Sequence, residues 1–116
     1  MHWHPNAGEW LDIIKGSGRM TVFNTRPQAV TANFHPGDIG YIKKSLGHYL
    51  ENTGDTELVY MEVFRAERFA EVALSDWLAH TPINMVTETL NLDPSVIAPA
   101  HGRPDLNVLT RSDRAR

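Results

Sequence analysis

The sequence predicts a mainly β fold, an antiparallel sandwich or barrel, followed by short helices. Between residues 9 and 64, short segments rich in Ile, Val, Thr, Tyr and Phe alternate with Gly, Pro, Asn and Asp at close intervals. No polar–apolar period of helix length interrupts this region, which argues against a βαβ fold. The 116 residues, 41% of them hydrophobic, suffice for one compact domain and exclude multidomain machinery.

Turn-forming residues divide this region into six predicted strands. Gly16-Ser17-Gly18 and Thr53-Gly54-Asp55 have the composition of tight hairpin turns. Further breaks fall at residues 24–27, 35–37 and 45–47, where Pro, Gly, Asn and Ser accumulate. The strands predicted between them are residues 10–14, 19–23, 29–34, 38–42, 48–51 and 57–64.

The pattern changes after Phe64 to one typical of short helices. Ser75 can cap a helix that continues through residue 79, Thr81-Pro82 signals a helix over 83–90, and Asp93-Pro94 signals a brief further turn. We expect residues 1–98 to form the domain together with these helices. Residues 99–116 contain Pro, Gly, Asn, Asp and four Arg, which predicts an irregular or poorly ordered tail.

Charge and cysteine content exclude several functions. Eleven Lys and Arg against 14 Asp and Glu give a net charge of -3, so we expect neither nucleic acid nor a membrane as a partner. Cysteine is absent, which excludes disulfides, thiolate catalysis and sulfur-ligated zinc. The N-terminus has no signal-peptide pattern, so the expected location is cytoplasmic by default, although the compartment is otherwise undetermined.

Three histidines and one glutamate have a pattern typical of a metal site. Residues two apart on a strand share a face, so His2 and His4 would present their imidazoles together. The breaks at residues 5, 6 and 8 can return Glu9 to that face, and His48, which opens a predicted strand, is the best fourth ligand. A His-x-His pair alone is often a surface accident. Three nitrogens favour Cu²⁺, Ni²⁺ or Zn²⁺ by affinity, whereas hard oxygen ligands suit Mn²⁺.

These residues resemble a known family. The spacing of His2, His4, Glu9 and Gly16 resembles the first cupin motif, and residues 37–52, with His48-x-x-x-Asn52, resemble the second. Over residues 1 to about 92 the chain is similar to the second cupin domain of the bicupin oxalate decarboxylases. The matching runs are His2-Trp3-His4-Pro5-Asn6-Ala7, Arg19-Met20-Thr21-Val22-Phe23, Gly37-Asp38, Gly47-His48-Tyr49, Glu51-Asn52-Thr53-Gly54-Asp55, Phe69-Ala70, Trp77-Leu78-Ala79 and Thr81-Pro82.

The resemblance implies a cupin jelly-roll β-barrel that holds one manganese ion per chain on His2, His4, Glu9 and His48. Other divalent metals, such as Cu, Ni, Zn or Fe, remain alternatives. The implied activity is cleavage of oxalate to formate and carbon dioxide, with dioxygen as a redox partner. Two alternatives stay open: an oxalate oxidase that releases hydrogen peroxide, and a catalytically idle metal-binding cupin.

Glu62 is the candidate proton-transfer residue. It lies in the apolar segment 59–64, where an inward carboxyl would have a raised pKa, and the family places a glutamate near the metal at this position. The alternative is an outward, solvated side chain.

The sequence also departs from the family. Lys43 stands where the second motif usually has Pro, and an Arg and strands that the family has ahead of His2 have no counterpart. A barrel incomplete at its N-terminus exposes a sheet edge, which predicts a homo-oligomer, at least a dimer.

Overall fold

The structure, a computed structural model, describes residues 1–26 and 28–99. Within these residues the chain forms eight strands and three helices. In chain order they are β1 (His2–Trp3), β2 (Glu9–Lys15), β3 (Gly18–Asn24), β4 (Gln28–Phe34), β5 (Ile39–Ile42), β6 (His48–Asn52), β7 (Val59–Phe64), β8 (Val72–Ala73), α1 (Leu74–His80), α2 (Ile83–Leu90) and α3 (Pro94–Ile97).

The chain divides into two compact units, a β unit over Met1–Val72 and a helical unit over Ala73–Arg116, with β8 at their boundary. In the β unit, antiparallel strands form one sheet in the order β4-β3-β6-β1 and a second in the order β5-β2-β7. The prediction of a mainly β fold with short C-terminal helices is therefore confirmed. The strands of the described residues form two sheets, not one closed hydrogen-bonded barrel.

Both sheets contribute to the hydrophobic core of the β unit. Alternate residues of β2 face inward, so that Leu11 and Ile13 are fully buried, and they meet Met20 from β3 and Ile42 from β5. Partly buried side chains complete the packing, namely Val22, Phe34, Leu46, Leu50 and Leu58.

Leu11→Ala is expected to reduce the free energy of unfolding by about 3 kcal/mol, because Leu11 is 0% exposed and its removal leaves a cavity between the sheets. Val30→Ala is the control, since Val30 is 70% exposed and loses little buried surface. Urea unfolding of both variants measures the difference, and equal losses would contradict this account of the core.

The two turns predicted as hairpins have a different role. The turn at Gly16 joins β2 to β3, and the turn at Gly54 joins β6 to β7; each pair belongs to different sheets. The prediction of hairpins was therefore wrong. The composition of a turn indicates that the chain reverses there, but it does not indicate whether the two strands that it joins pair with each other. Gly16 is required at φ 83°, where a Cβ would lie 2.5 Å from the Glu57 carbonyl oxygen. The observed hairpin joins β3 to β4, with Gly18 opposite Phe34.

The predicted helices are present in the helical unit, but one of their predicted N-caps is wrong. Ala73 occupies the N-cap position of α1, so the prediction that Ser75 caps this helix was wrong. Helix α2 begins after Pro82 without a side-chain cap, whereas Asp93 caps α3 by accepting a hydrogen bond from the Ser95 amide at 2.8 Å. None of the described helices is long and apolar enough to cross a membrane. The predicted tail lies outside the described residues, except for Pro99.

Candidate metal centre

The structure brings the four predicted metal ligands together inside the β unit. One ligand atom from each of His2, His4, Glu9 and His48 lies within 4.8 Å of the other three. His4, Glu9 and His48 are 1–3% exposed, while His2 is partly exposed. Titratable groups that are this well buried need a partner that compensates their polarity.

Both sheets supply these side chains. His2 pairs with His48 across β1 and β6, which places two imidazoles on one inner face with ring centroids 4.3 Å apart. His4 follows β1, and its ring centroid lies 5.1 Å from that of His2. Glu9 is the first residue of β2 and belongs to the opposite sheet. It shares the inner face with Leu11, so it reaches the histidines across the interior and not along a continued strand.

Backbone carbonyls orient the two buried imidazoles. Nδ1 of His4 lies 3.0 Å from the Ala70 carbonyl oxygen, and Nδ1 of His48 lies 3.0 Å from the Leu46 carbonyl oxygen. A carbonyl can only accept, so each Nδ1 carries the proton and donates. In each imidazole this leaves Nε2 facing the interior, which is the arrangement typical of metal-bound histidine.

The inner atoms of the cluster lack a hydrogen-bond partner among the described residues. They are Nε2 of His4, Nε2 of His48 and Oε2 of Glu9, all buried. The Glu9 oxygen lies 3.1 Å from the His4 nitrogen and 3.0 Å from the His48 nitrogen. Three lone pairs that converge in this way would all be satisfied by one bound cation. This donor set, with three imidazoles and one carboxylate, fits a divalent metal ion.

The pKa values of His48 and His2 shift in opposite directions. Burial by itself lowers the pKa of His48, but the interaction with Glu9 and the hydrogen bond to Leu46 outweigh burial and raise it overall. Burial, followed by the neighbouring His48 and His4, lowers the pKa of His2 to about 4. His2 is consequently neutral at ordinary pH and keeps a lone pair for a metal.

Glu62 faces the interior beside this cluster. It lies on β7 opposite the fully buried Leu11, and antiparallel neighbours point to the same side of a sheet. Burial, and next the nearby carboxylate of Glu9, raise the pKa of Glu62 to about 7. Of the two orientations that the sequence left open, the structure has the inward one.

Several residues around the centre were not assigned a role from the sequence. Phe64 and Phe69 pack against the His4 ring, with centroids 4.5 and 5.4 Å away. Glu71 Oε2 lies 4.0 Å from Nε2 of His2. Phe69-Ala70 is one of the runs that match the family. The role of Ala70 could not be predicted, because its backbone carbonyl accepts the hydrogen bond and any residue type has that carbonyl.

Asn52 closes the second motif without joining the cluster. Its side-chain oxygen accepts from the Gly54 amide at 3.0 Å, and its amide nitrogen donates to the Thr56 carbonyl at 2.8 Å. Asn52 therefore shapes the turn between β6 and β7.

Comparison with known proteins identifies the family. A family model described as Cupin matches residues 1–98. The chain belongs to the cupin family. The resemblance found in the two histidine-containing motifs is thereby confirmed.

The relatives of this cupin include oxalate decarboxylases. The chain is 46% identical over 92 residues to oxalate decarboxylase OxdC of Bacillus subtilis, covering 79% of this chain and 24% of that protein. It is 44% identical over 98 residues to a probable oxalate decarboxylase of Arthroderma benhamiae, covering 84% of this chain and 24% of the relative. The cupin chain thus spans about a quarter of the length of these relatives.

Solved structures similar to this chain are also oxalate decarboxylases. A structure from work on the Mn(II) centres of Bacillus subtilis oxalate decarboxylase has a TM-score of 0.82 and 40% identity, covering 90% of this chain and 28% of that chain. The formate complex of Lactobacillus farciminis oxalate decarboxylase has a TM-score of 0.77 and 38% identity, covering 90% of this chain and 30% of that chain. The cupin unit therefore resembles a cupin domain of oxalate decarboxylase in sequence and in fold.

Proposed function

We propose that this cupin chain holds one manganese ion and cleaves the carbon–carbon bond of oxalate to give formate and carbon dioxide. The observation that carries the proposal is the convergence of three buried polar atoms, from His4, Glu9 and His48, which one divalent cation would satisfy together. Support for manganese and oxalate comes from the relatives, which are oxalate decarboxylases, one of them with Mn(II) centres.

The ligands of the ion would be His2, His4, Glu9 and His48. When bound, the ion supplies Lewis acidity toward a substrate carboxylate and a redox contact for dioxygen. The protein holds the imidazoles of His4 and His48 in the ligating tautomer through the carbonyls of Ala70 and Leu46. These hydrogen bonds preorganise the site before any ligand arrives. Cu, Ni, Zn and Fe are alternatives that the same donor atoms accept.

Glu62 is the proposed proton carrier. When the carbon–carbon bond of oxalate breaks, carbon dioxide leaves and the carbon of the remaining carboxylate takes up one proton, so that C₂O₄²⁻ and H⁺ give HCO₂⁻ and CO₂. Glu62 lies on the inner face of β7, close enough to Glu9 for that carboxylate to raise its pKa, so its carboxyl would lie beside an ion held by Glu9. A half-buried carboxyl is screened from bulk water, which favours directed transfer of the proton.

Two alternatives use the same centre. An oxalate oxidase would consume dioxygen and two protons and would release two carbon dioxide molecules and hydrogen peroxide. A catalytically idle cupin would bind the ion, since the buried cluster is sufficient for binding, without turning over oxalate. The oxidase would differ from the decarboxylase in its products, and the idle cupin would form no product.

We expect manganese-loaded protein to convert oxalate into formate and carbon dioxide in equal amounts, with little peroxide. Formate, peroxide and residual oxalate are to be measured together on protein whose metal content is known, with metal-depleted protein as the control. Peroxide without formate would indicate the oxidase. Unchanged oxalate with the ion bound would overturn the enzymatic proposal and favour the idle cupin.

A further inference from the structure

The two sheets of the β unit leave a cavity between them. It measures about 170 Å³ and is lined by β3, by the edge strand β4 of one sheet and by the edge strand β5 of the other. Val30 lies opposite Val22, and antiparallel neighbours point to the same side of a sheet. Ala32 likewise lies opposite Met20, which belongs to the core. The cavity is therefore part of the interior, with a lining that includes Met20, Val22, Val30, Ala32, Phe34 and Ile42.

The lining of this cavity is apolar. Among the described residues it carries no charge, and Tyr41 is the one lining residue with a polar side chain. That side chain belongs to the outward side of β5, where its ring lies 4.7 Å from the ring of Trp10. A hydrated anion such as oxalate would lose water here without gaining a partner. By contrast, an engineered apolar cavity of about 150 Å³ takes up benzene or xenon, so the chemistry here fits a small apolar molecule.

The cavity adjoins the candidate metal centre. Val30, Val22 and His48 form one row across β4, β3 and β6, because each lies directly opposite the next. Neighbouring strands are about 5 Å apart, so about 10 Å separates the first residue of this row from the last. In the other sheet, Ile42 lies opposite Glu9. Two residues that line the cavity are thus direct strand neighbours of two residues of the metal cluster.

The same row leads to the surface. Val30 is 70% exposed although it points to the inner side of β4, so the opposite sheet does not cover it. Further along β4, the ring of Phe34 lies against Gly40, where a Cβ would come within 3.1 Å of it. The cavity is therefore open beside Val30, at the end nearest His48, and narrowed at Phe34.

We infer that this cavity binds dioxygen beside the metal centre and is its way in from solvent. Dioxygen is small and apolar, so its transfer from water into an apolar cavity is favourable. The choice of dioxygen rests on the proposed function, in which it is the redox partner, whereas the apolar cavity itself does not. Oxalate would approach from the other side, because the partly exposed ligand, His2, lies on β1, and β3 and β6 separate β1 from β4.

The relaxation of methyl groups in NMR spectra tests this binding, because dissolved dioxygen is paramagnetic and shortens the relaxation times of nuclei near it. The measurement uses the full chain loaded with zinc, a diamagnetic ion that the same donor atoms accept. Raised dioxygen pressure should increase the relaxation rates of the Val22 and Ile42 methyls severalfold more than those of Leu11, which is fully buried in the core.

A matched pair of variants on β4 locates the effect. Ala32→Phe fills the cavity and should abolish the excess relaxation at Val22 and Ile42. Ala29→Phe places the same ring on the outer face of the same strand and should leave the excess unchanged. Circular dichroism establishes that each variant is folded. Val30→Phe, at the exposed end of the cavity, serves if Ala32→Phe does not fold.

The second measurement is the dependence of oxalate turnover on dissolved dioxygen, with manganese-loaded protein. Ala32→Phe should raise the half-saturating dioxygen concentration by about tenfold, because it removes the apolar space that concentrates dioxygen beside the ion. The KM for oxalate and the metal content should stay unchanged, since the variant alters neither the four clustered residues nor the side of the centre at His2. A general loss of structure would change all three quantities.

Two results would overturn the inference: equal relaxation at the cavity and core methyls, or an active Ala32→Phe variant with the dioxygen dependence of the unmodified protein. An excess that survives both Ala32→Phe and Val30→Phe would also contradict it. Failure of the proposed function has a different signature. Oxalate would then not be consumed, while the excess relaxation at Val22 and Ile42 would still show that the cavity binds the gas.

Discussion

His48→Ala is expected to reduce the affinity for the metal ion by about a hundredfold or more. Changes to residues that only hydrogen-bond to a ligand already cost up to about a hundredfold in affinity, and the loss of a ligand itself should cost at least as much. His48 Nε2 is one of three buried acceptors that converge without a hydrogen-bond partner in the described part of the chain. Its substitution removes one of only four donors and leaves Glu9 and His4 facing a cavity. Elemental analysis after dialysis against a weak chelator gives the metal content per chain.

The control for this variant is His35→Ala. His35 lies in the turn before β5, its side chain is 68% exposed, and it contacts Asp38 at 3.7 Å. Its loss should leave the metal content unchanged. Glu9→Ala should match His48→Ala, and His48→Gln, which fills more of the space, serves if the alanine variant does not fold. Undiminished metal in the Glu9 and His48 variants would refute the site.

Glu62→Gln is expected to reduce the rate of oxalate turnover by about a hundredfold or more while leaving the metal content unchanged. The side chain keeps its size on the inner face of β7, opposite Leu11, but cannot exchange a proton. Because Glu62 is not one of the four clustered residues proposed as ligands, the ion should bind as before. The measurements are kcat for oxalate consumption, formate and peroxide at equal metal loading.

Glu57→Gln is the matched control, since the Glu57 carboxylate is 72% exposed and contacts Lys15 on the surface at 3.5 Å. It should have the activity of the unmodified protein. If that protein is active and Glu62→Gln equals it, Glu62 is structural and the proton travels by another group or by water. A loss of turnover at unchanged metal content would assign Glu62 to proton transfer, because a folding defect would also lower the metal content.

Local chemistry made most of the strands and the ligand types predictable from the sequence. Alternating apolar residues between turns marked β2 to β7 to within one or two residues, because strand periodicity and turn residues are local properties. The side chains of His2, His4, Glu9 and His48 were identifiable because few residue types can donate to a divalent metal, and their spacing matches a known motif.

The tertiary structure decided which sheet each strand joins and what each side chain faces. The turns at Gly16 and Gly54 carry the chain from one sheet to the other, and nothing in their composition distinguishes that from a hairpin. Glu9 reaches the histidines from the opposite sheet for this reason. The inward direction of Glu62 likewise follows from its register with Leu11. Strand pairing is non-local, so the sequence of one strand does not specify its neighbour.

The sequence by itself therefore determined the fold class, the four residues that the structure brings together as a candidate metal centre, and the family to which the chain belongs. Only the tertiary structure decided the tautomers of His4 and His48, since backbone carbonyls far along the chain or in the preceding turn accept their Nδ1 protons. It also decided that Trp10 and Tyr41 form part of an exposed face and not of the core. A strand that is apolar on both sides has no alternation to mark its inner face, so only the packing of the second sheet makes that choice.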